Sequence, residues 1–370
     1  MKPIVAVTVL SLAFGQSASA QQAAVARPSL PRLLVIATGG TIAGVQDAPG
    51  TTAQYHPGTL TAEQILASVP QVAQYAEVES QQFSNVQSAF ITPAQWVALA
   101  RSIDEALRRP DLTGVIVTHG TDRLEETAFF LYLTVRSEKP VILVGAQRPA
   151  TGISADGPIN LLAAVRTAVS PQAVGKGVMI VMDDRIISAR EVRKQYPRVG
   201  GFAGGEMGML GVVGPNGPEF FFAPTRRRGP TSEFNLAGVS ALPEVDLVLA
   251  YPGGVGRSFE RKPAGVVVSA PALTCAETAA YQTLARTGVI IATGFPSGDD
   301  LGDERKTSDG VPFGLRQDCP ALDTAGLFRA PWVSAIPVQH LTPQKARILL
   351  MLALTRTRDP AEILRYFNTY

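Results

Sequence analysis

Leu33-Leu34-Val35-Ile36-Ala37-Thr38-Gly39-Gly40-Thr41 is the stretch on which the fold turns. Five consecutive apolar residues read as a strand buried on both faces, and two glycines after them permit a tight turn. The same wording returns at Val115-Ile116-Val117-Thr118, at Val141-Ile142-Leu143-Val144 and at Val178-Met179-Ile180-Val181-Met182. Between these runs, helical periodicity is expected over residues 61–69, 93–107, 122–135 and 160–169, with Thr92 capping and Pro93 opening the second helix. Near-continuous Val, Ile and Leu strands alternating with helices predict an α/β protein whose parallel sheet is covered on both sides. Ligands of such sheets bind beyond the carboxyl ends of the strands. That rule singles out Thr41, Thr121 and the segment after Met182.

The start of the chain bears on its destination. Lys2 is positive, residues 4–14 are apolar apart from Thr8 and Ser11, and Ala18-Ser19-Ala20 offers small residues for cleavage. This is the layout of a secretory signal peptide over residues 1–20, and it predicts a periplasmic or secreted protein. A membrane anchor would need roughly 20 apolar residues. No cysteine follows the apolar run, which disfavours a lipid-anchored form, and no later run is long enough to span a bilayer, so no membrane association is expected. The remaining chain of about 350 residues predicts two domains: a larger N-terminal α/β domain at 29–224, a linker at 225–243 rich in Pro, Gly and Ser, and a smaller C-terminal α/β domain at 244–370. The second domain has strands at 245–250, 265–270 and 288–293, and a helix at 343–355 capped by Thr342.

Composition excludes several partners. Lys and Arg total 33 against 31 Asp and Glu, and a net charge of +2 gives no electrostatic footing for nucleic acid. The run Arg226-Arg227-Arg228 reads as part of a solvated linker. Cys275 and Cys319 are the only cysteines; an exported protein could join them, but spacing does not decide it. His56, His119 and His340 lie far apart, and there is no H-E-x-x-H, so neither a metal nor another cofactor is expected.

Two segments carry chemistry-bearing residues. In Thr38-Gly39-Gly40-Thr41-Ile42-Ala43-Gly44 a strand delivers a hydroxyl among glycines, where backbone N–H groups stay free. That suits a nucleophile beside an oxyanion site. A phosphate loop would require a Lys that is absent. In Thr118-His119-Gly120-Thr121-Asp122-Arg123-Leu124-Glu125-Glu126-Thr127 a second strand delivers Thr121 with Asp122 at the mouth of a helix. Asp122 could instead cap that helix, and Glu125 and Glu126 complement its dipole. A serine hydrolase finds no support, since Gly152-Ile153-Ser154-Ala155-Asp156-Gly157 is not G-x-S-x-G.

Together these two segments resemble the signature motifs of the bacterial type II, or periplasmic, L-asparaginases of the asparaginase/glutaminase family. The likeness extends through 144–149, 154–161, 181–184, 190–194 and 341–347. It implies a threonine nucleophile, Thr41, that attacks a side-chain amide and forms an acyl-enzyme. It further implies that Tyr55 closes over Thr41 and moves its proton, and that Thr121, Asp122 and Lys194 form a second catalytic set. Ser88, Thr121 and Asp122 would bind the substrate, Ser88 meeting the α-carboxylate and Asp122 the α-ammonium group. Asparagine would yield aspartate and ammonia; alternatives are a broader glutaminase-asparaginase, or a periplasmic amino-acid-binding protein with weak catalysis. The resemblance also implies a homotetramer of intimate dimers with sites at subunit interfaces.

The chain departs from the family pattern in places. Ser88-Ala89 stands where a Ser-Gln pair is usual, and Pro271-Ala272-Leu273-Thr274 replaces a Gly-x-Gly-Asn segment. Asp299, Asp300, Asp303 and Glu304 fall where an acidic residue would cross to a neighbouring subunit. These changes bear on substrate choice.

Overall fold

The computed structural model describes residues 29–50, 54–270, 273–298 and 335–370. The expected signal peptide, the acidic cluster at 299–304, Pro271, Ala272, Cys319 and the Cys275 side chain lie outside the described residues. Pro31–Tyr370 forms one compact unit.

In chain order, β1 (Arg32–Gly39) leads into a small hairpin, β2 (Val45–Gln46) with β3 (Tyr55–His56), then α1 (Ala62–Ala67) and β4 (Glu77–Val86). There follow α2 (Pro93–Leu107), β5 (Leu112–Thr118), α3 (Leu124–Thr134), β6 (Val141–Val144), α4 (Gly157–Ala168) and β7 (Val178–Met182). The chain then doubles back through β8 (Arg185–Ser188), the hairpin β9 (Arg193–Lys194) and β10 (Phe202–Ala203), β11 (Met209–Gly214) and β12 (Gly217–Phe220). The last part holds β13 (Val245–Leu249), β14 (Gly265–Ser269), α5 (Cys275–Arg286), β15 (Ile290–Gly294), β16 (Ala335–Pro337), α6 (Pro343–Ala353) and α7 (Pro360–Thr369).

The large sheet runs β12-β11-β8-β7-β6-β5-β1-β4, parallel from β7 to β4 and antiparallel at the other edge. A second sheet, β13-β14-β15-β16, is parallel throughout. The expected α/β architecture, with a larger N-terminal sheet and a smaller C-terminal one, is present.

Alternation along each strand splits the core. Leu33, Val35, Ala37, Ile116, Ile142 and Val144 face one layer, with Leu161 and Val165 of α4. Leu34, Ile36, Val115, Val117, Val141 and Leu143 face the opposite layer, with residues of α2, α3 and α6. These strands read as unbroken apolar runs because both faces are covered. The helices start where their caps dictate: Thr92 and Gln95 form a reciprocal capping box on α2, and Thr342 accepts the N–H of Lys345 on α6.

Two sequence expectations need amendment. Strand β4, at the sheet edge, was not anticipated: Glu77-Val78-Glu79-Ser80-Gln81-Gln82 has no apolar run, and its side chains are half-buried or exposed. The arginines at 226–228 are not simply solvated. Arg228 donates to the Gly175 and Pro224 carbonyls at 3.2 and 2.9 Å, and Arg226 reaches the Asn368 carbonyl.

Candidate active site

The ends of β1 and β5 meet backbone to backbone. Gly40 has φ +83°, and a Cβ there would lie 2.2 Å from Gly120 Cα; a Cβ on Gly120 would lie 2.7 Å from Ser88 Oγ. Only glycine permits that approach, and it brings the next residues of both strands, Thr41 and Thr121, to one opening. Thr41 begins a single 3₁₀ turn, Thr41–Ala43, in which the Ala43 N–H donates to the Gly40 carbonyl at 3.1 Å.

The β2–β3 hairpin folds back across this turn, pairing Gln46 with Tyr55. It sets the Tyr55 hydroxyl 2.8 Å from Thr41 Oγ1. On the other side, Lys194 on β9 donates from Nζ to Thr121 Oγ1 at 2.8 Å and to Asp122 Oδ1 at 2.7 Å. Its own backbone N–H donates to Glu125 Oε2 at 2.8 Å. The segment after Met182 reaches the site by an unexpected route. Asp183 and Asp184 both have positive φ, near 55° and 58°, and turn the chain into an antiparallel hairpin instead of a crossover helix.

Asp122 does not cap the following helix. The residue at that cap is Arg123, with no side-chain bond to the turn, and the exposed Asp122 carboxylate instead accepts from Lys194 through Oδ1. Ser88 takes over part of the capping: its buried Oγ accepts the N–H groups of Asp122 and Arg123 at 3.1 and 3.3 Å. Both oxygen lone pairs are thereby used, leaving its O–H to donate to an anionic ligand.

These residues surround an open cavity of ≈ 200 Å³ lined by Gly40, Thr41, Tyr55, Pro57, Gln87, Ser88, Gly120, Thr121 and Asp122. It is smaller than the roughly 300–1,000 Å³ of drug-sized pockets, which suits a ligand of a few heavy atoms. Six residues named from the sequence therefore fall in one place, Thr41, Tyr55, Ser88, Thr121 and Asp122 on the wall and Lys194 behind Thr121, while the acidic candidates at 299–304 lie outside the described residues. Ala89 instead lines a neighbouring hollow with Trp96, Arg123, Glu126 and Arg347. Thr274 accepts the Glu277 N–H as the cap of α5 and donates to the Gly254 carbonyl.

Several supporting residues were missed. Glu125, which in the sequence reads as complementing the helix dipole, holds the Lys194 backbone. Asp156 accepts the N–H groups of Gln147 and Arg148 at 2.9 and 2.8 Å, while Asn160 donates to the Gly145 carbonyl and accepts the Asp183 N–H. That network pins the turn after β6 behind Thr121; a Cβ on Gly145 would come within 3.2 Å of Thr121 Cγ2. Their sequence signal was a buried-type Asp and Asn at helical spacing, which has no chemistry until the turn it serves is seen. His119 is fully buried and donates from Nδ1 to the Gly120 carbonyl at 2.7 Å; burial pushes its pKa down to about 4, so it stays neutral. Among the described residues no group of three or more His, Cys, Asp or Glu side chains could hold a metal ion, and no helix is long and apolar enough to cross a membrane.

The family profile described as "Asparaginase, N-terminal" matches residues 32–226. The chain is 37% identical to L-asparaginase 2 of Bacillus subtilis, over 96% of this chain and 89% of that one. It is 35% identical to L-asparaginase 2 of Escherichia coli, over 92% and 94%. It is 34% identical to the glutaminase-asparaginase of Pseudomonas aeruginosa along the full length of both. The crystal structure of a probable cytoplasmic L-asparaginase from Campylobacter jejuni superposes with a TM-score of 0.80 at 33% identity, covering 92% of this chain and 99% of that one. With paired Gly-Thr strand ends at a common cavity and such likeness over nearly its whole length, the chain belongs to the asparaginase family.

Proposed function

We propose that the protein is an amidohydrolase that converts L-asparagine to L-aspartate and ammonia through Thr41. The observation carrying this reading is that Thr41 and Thr121 open on one small polar cavity, each with its own proton-transfer partner within 2.8 Å. A threonine hydroxyl is a weak nucleophile until a neighbour takes its proton. Tyr55 is that neighbour. Thr41 Oγ1 attacks the amide carbon, its proton passes by way of Tyr55 to the departing nitrogen, and ammonia leaves an ester on Thr41. Water then cleaves the ester, aided by Thr121 and Lys194, restoring the Thr41 hydroxyl and releasing the acid. Backbone N–H groups at the two strand ends supply the oxyanion contacts. The free O–H of Ser88 meets the substrate carboxylate, and the Asp122 carboxylate meets its ammonium group.

Ammonia release from asparagine by purified protein, beside Thr41→Ala and Thr121→Ala, tests the assignment. Loss of the nucleophile is expected to lower kcat by at least about 10³-fold, and loss of a group in the proton-transfer set by about 10²- to 10⁴-fold. Parental rates in Thr41→Ala would refute it. Ala89, small and turned into the neighbouring hollow, favours a broader second reading in which glutamine is also hydrolysed. Comparable kcat/KM for the two amides would establish that. An amino-acid-binding protein with only vestigial catalysis would instead leave bound asparagine unchanged over hours.

We also propose export through cleavage of residues 1–20, a homotetrameric assembly, and a division into a catalytic part at 29–224, a connection at 225–243 and a C-terminal part at 244–370. Cell fractionation and sedimentation test the first two.

A further inference from the structure

Lys345 is a cation on α6, 1% exposed, and no step of the proposed reaction uses it. Its Nζ donates to the Arg190 carbonyl at 2.7 Å and to the Val192 carbonyl at 2.5 Å. It also lies over the Phe129 ring, 5.9 Å from the centroid. These two carbonyls belong to the few residues that lead into β9, where Lys194 stands. The same strand is held from its other side by Glu125 of α3, through the Lys194 N–H. Arg190 is fastened separately, its Nε donating to the Tyr370 carbonyl at 2.7 Å.

We propose that Lys345 is a positioning residue for Lys194: it fixes the backbone of 190–192 from helix α6 so that the Lys194 amine meets Thr121 and Asp122. This rests on the reading of Lys194 given above. A buried ammonium is costly unless its donors are satisfied and countercharges are near. Here two carbonyls take two of its three donors and the Phe129 ring lies beneath it, Glu125 and Glu191 oppose its charge, and Arg190 and Arg193 add to it. Burial is the largest influence and pushes its pKa down to about 8. Retaining a cation in such a place, where methionine would fill the same volume, is explained by its two directed bonds to one short stretch of backbone. The geometry also accounts for the sequence around it, since 341–347 and 190–194 are far apart in the chain yet joined by this side chain.

The test compares Lys345→Met, Lys345→Arg and Lys194→Met by steady-state ammonia release from asparagine, with circular dichroism to confirm folding. A displacement of about 1 Å at a reacting group can cost about 10²-fold. The expected result for Lys345→Met is therefore a kcat lower by roughly ten- to a hundredfold with KM within about twofold, because Lys345 makes no contact with Ser88 or with the backbone that lines the cavity. Lys345→Arg, which keeps charge and donors, is expected to recover most of that loss. A purely structural role would lower the melting temperature and the yield of folded protein, and leave kcat per folded molecule alone. Parental kcat in folded Lys345→Met, with Lys194→Met inactive, would overturn the inference while leaving the site assignment standing. Parental kcat in Lys194→Met would overturn the site assignment and the inference with it. If Lys345→Met does not fold, Lys345→Gln, which keeps an amide NH2 donor group but no charge, decides the matter: a kcat reduced severalfold at constant KM supports the role, and an unchanged kcat overturns it.

Discussion

His119 sits between two threonines of the second signature segment, but its contribution is to stability. Buried and donating to the Gly120 carbonyl, it is held neutral with its pKa pushed from 6.5 down to about 4. The unfolded chain therefore binds a proton that the folded one refuses across that interval. Its contribution is fully present above pH 6.5 and is lost as pH falls through 4. The linked loss is on the order of 3 kcal/mol. Denaturant unfolding at pH 7 and at the acid end of that window should show His119→Gln losing less stability on acidification than the parent does. Equal losses in the two proteins would remove His119 from the account. No role for His119 was legible in the sequence, and its burial assigns it to the fold.

At the scale of elements, the β2–β3 hairpin matters most, because it carries Tyr55 over Thr41. Gly44 has an ordinary extended backbone, φ −85°, so conformational freedom is not why glycine stands there. A Cβ would meet Tyr55 Cδ2 at 2.8 Å and the Thr41 carbonyl at 2.9 Å. Gly44→Ala must then push the ring away from Thr41 Oγ1, to which its hydroxyl is hydrogen-bonded. We expect kcat to fall by about ten- to a hundredfold. In a Tyr55→Phe background the same substitution should cost little more, since the hydroxyl it displaces is already gone. Additive losses in the double mutant would show that Gly44 acts otherwise.

The parallel strands and α2 were legible beforehand because continuous Val-Ile-Leu runs and a Thr cap followed by Pro are local signals. The strand ends bearing Thr41 and Thr121 followed from them. What was not legible depended on contacts distant in sequence. Strand β4 is specified by its place at the edge beside β1, and the roles of Glu125 and Asp156 by the backbone groups they satisfy.

For the molecule as a whole, length and a connection rich in Pro, Gly and Ser suggest two parts, but the packing joins them. Phe129, Phe130 and Leu133 of α3 lie in one buried cluster with Leu349, Leu350 and Leu352 of α6, Val267 of β14 and Ala292 of β15. Helix α6 thus covers the large sheet's helical layer with one face and the small sheet with the other, and Lys345 adds two directed bonds across the same boundary. Removing the C-terminal part would uncover apolar surface at roughly 25 cal/mol per Å² and strand the Arg190 and Val192 carbonyls. A fragment of residues 29–243 is therefore expected not to fold cooperatively, although it contains every residue of the cavity wall and Lys194. The intact protein should lose far-ultraviolet circular dichroism and tryptophan fluorescence along one curve in denaturant. A fragment 29–243 that unfolded in a sharp transition of its own would mean that the shared core contributes little, and that the chain consists of two independent folding units.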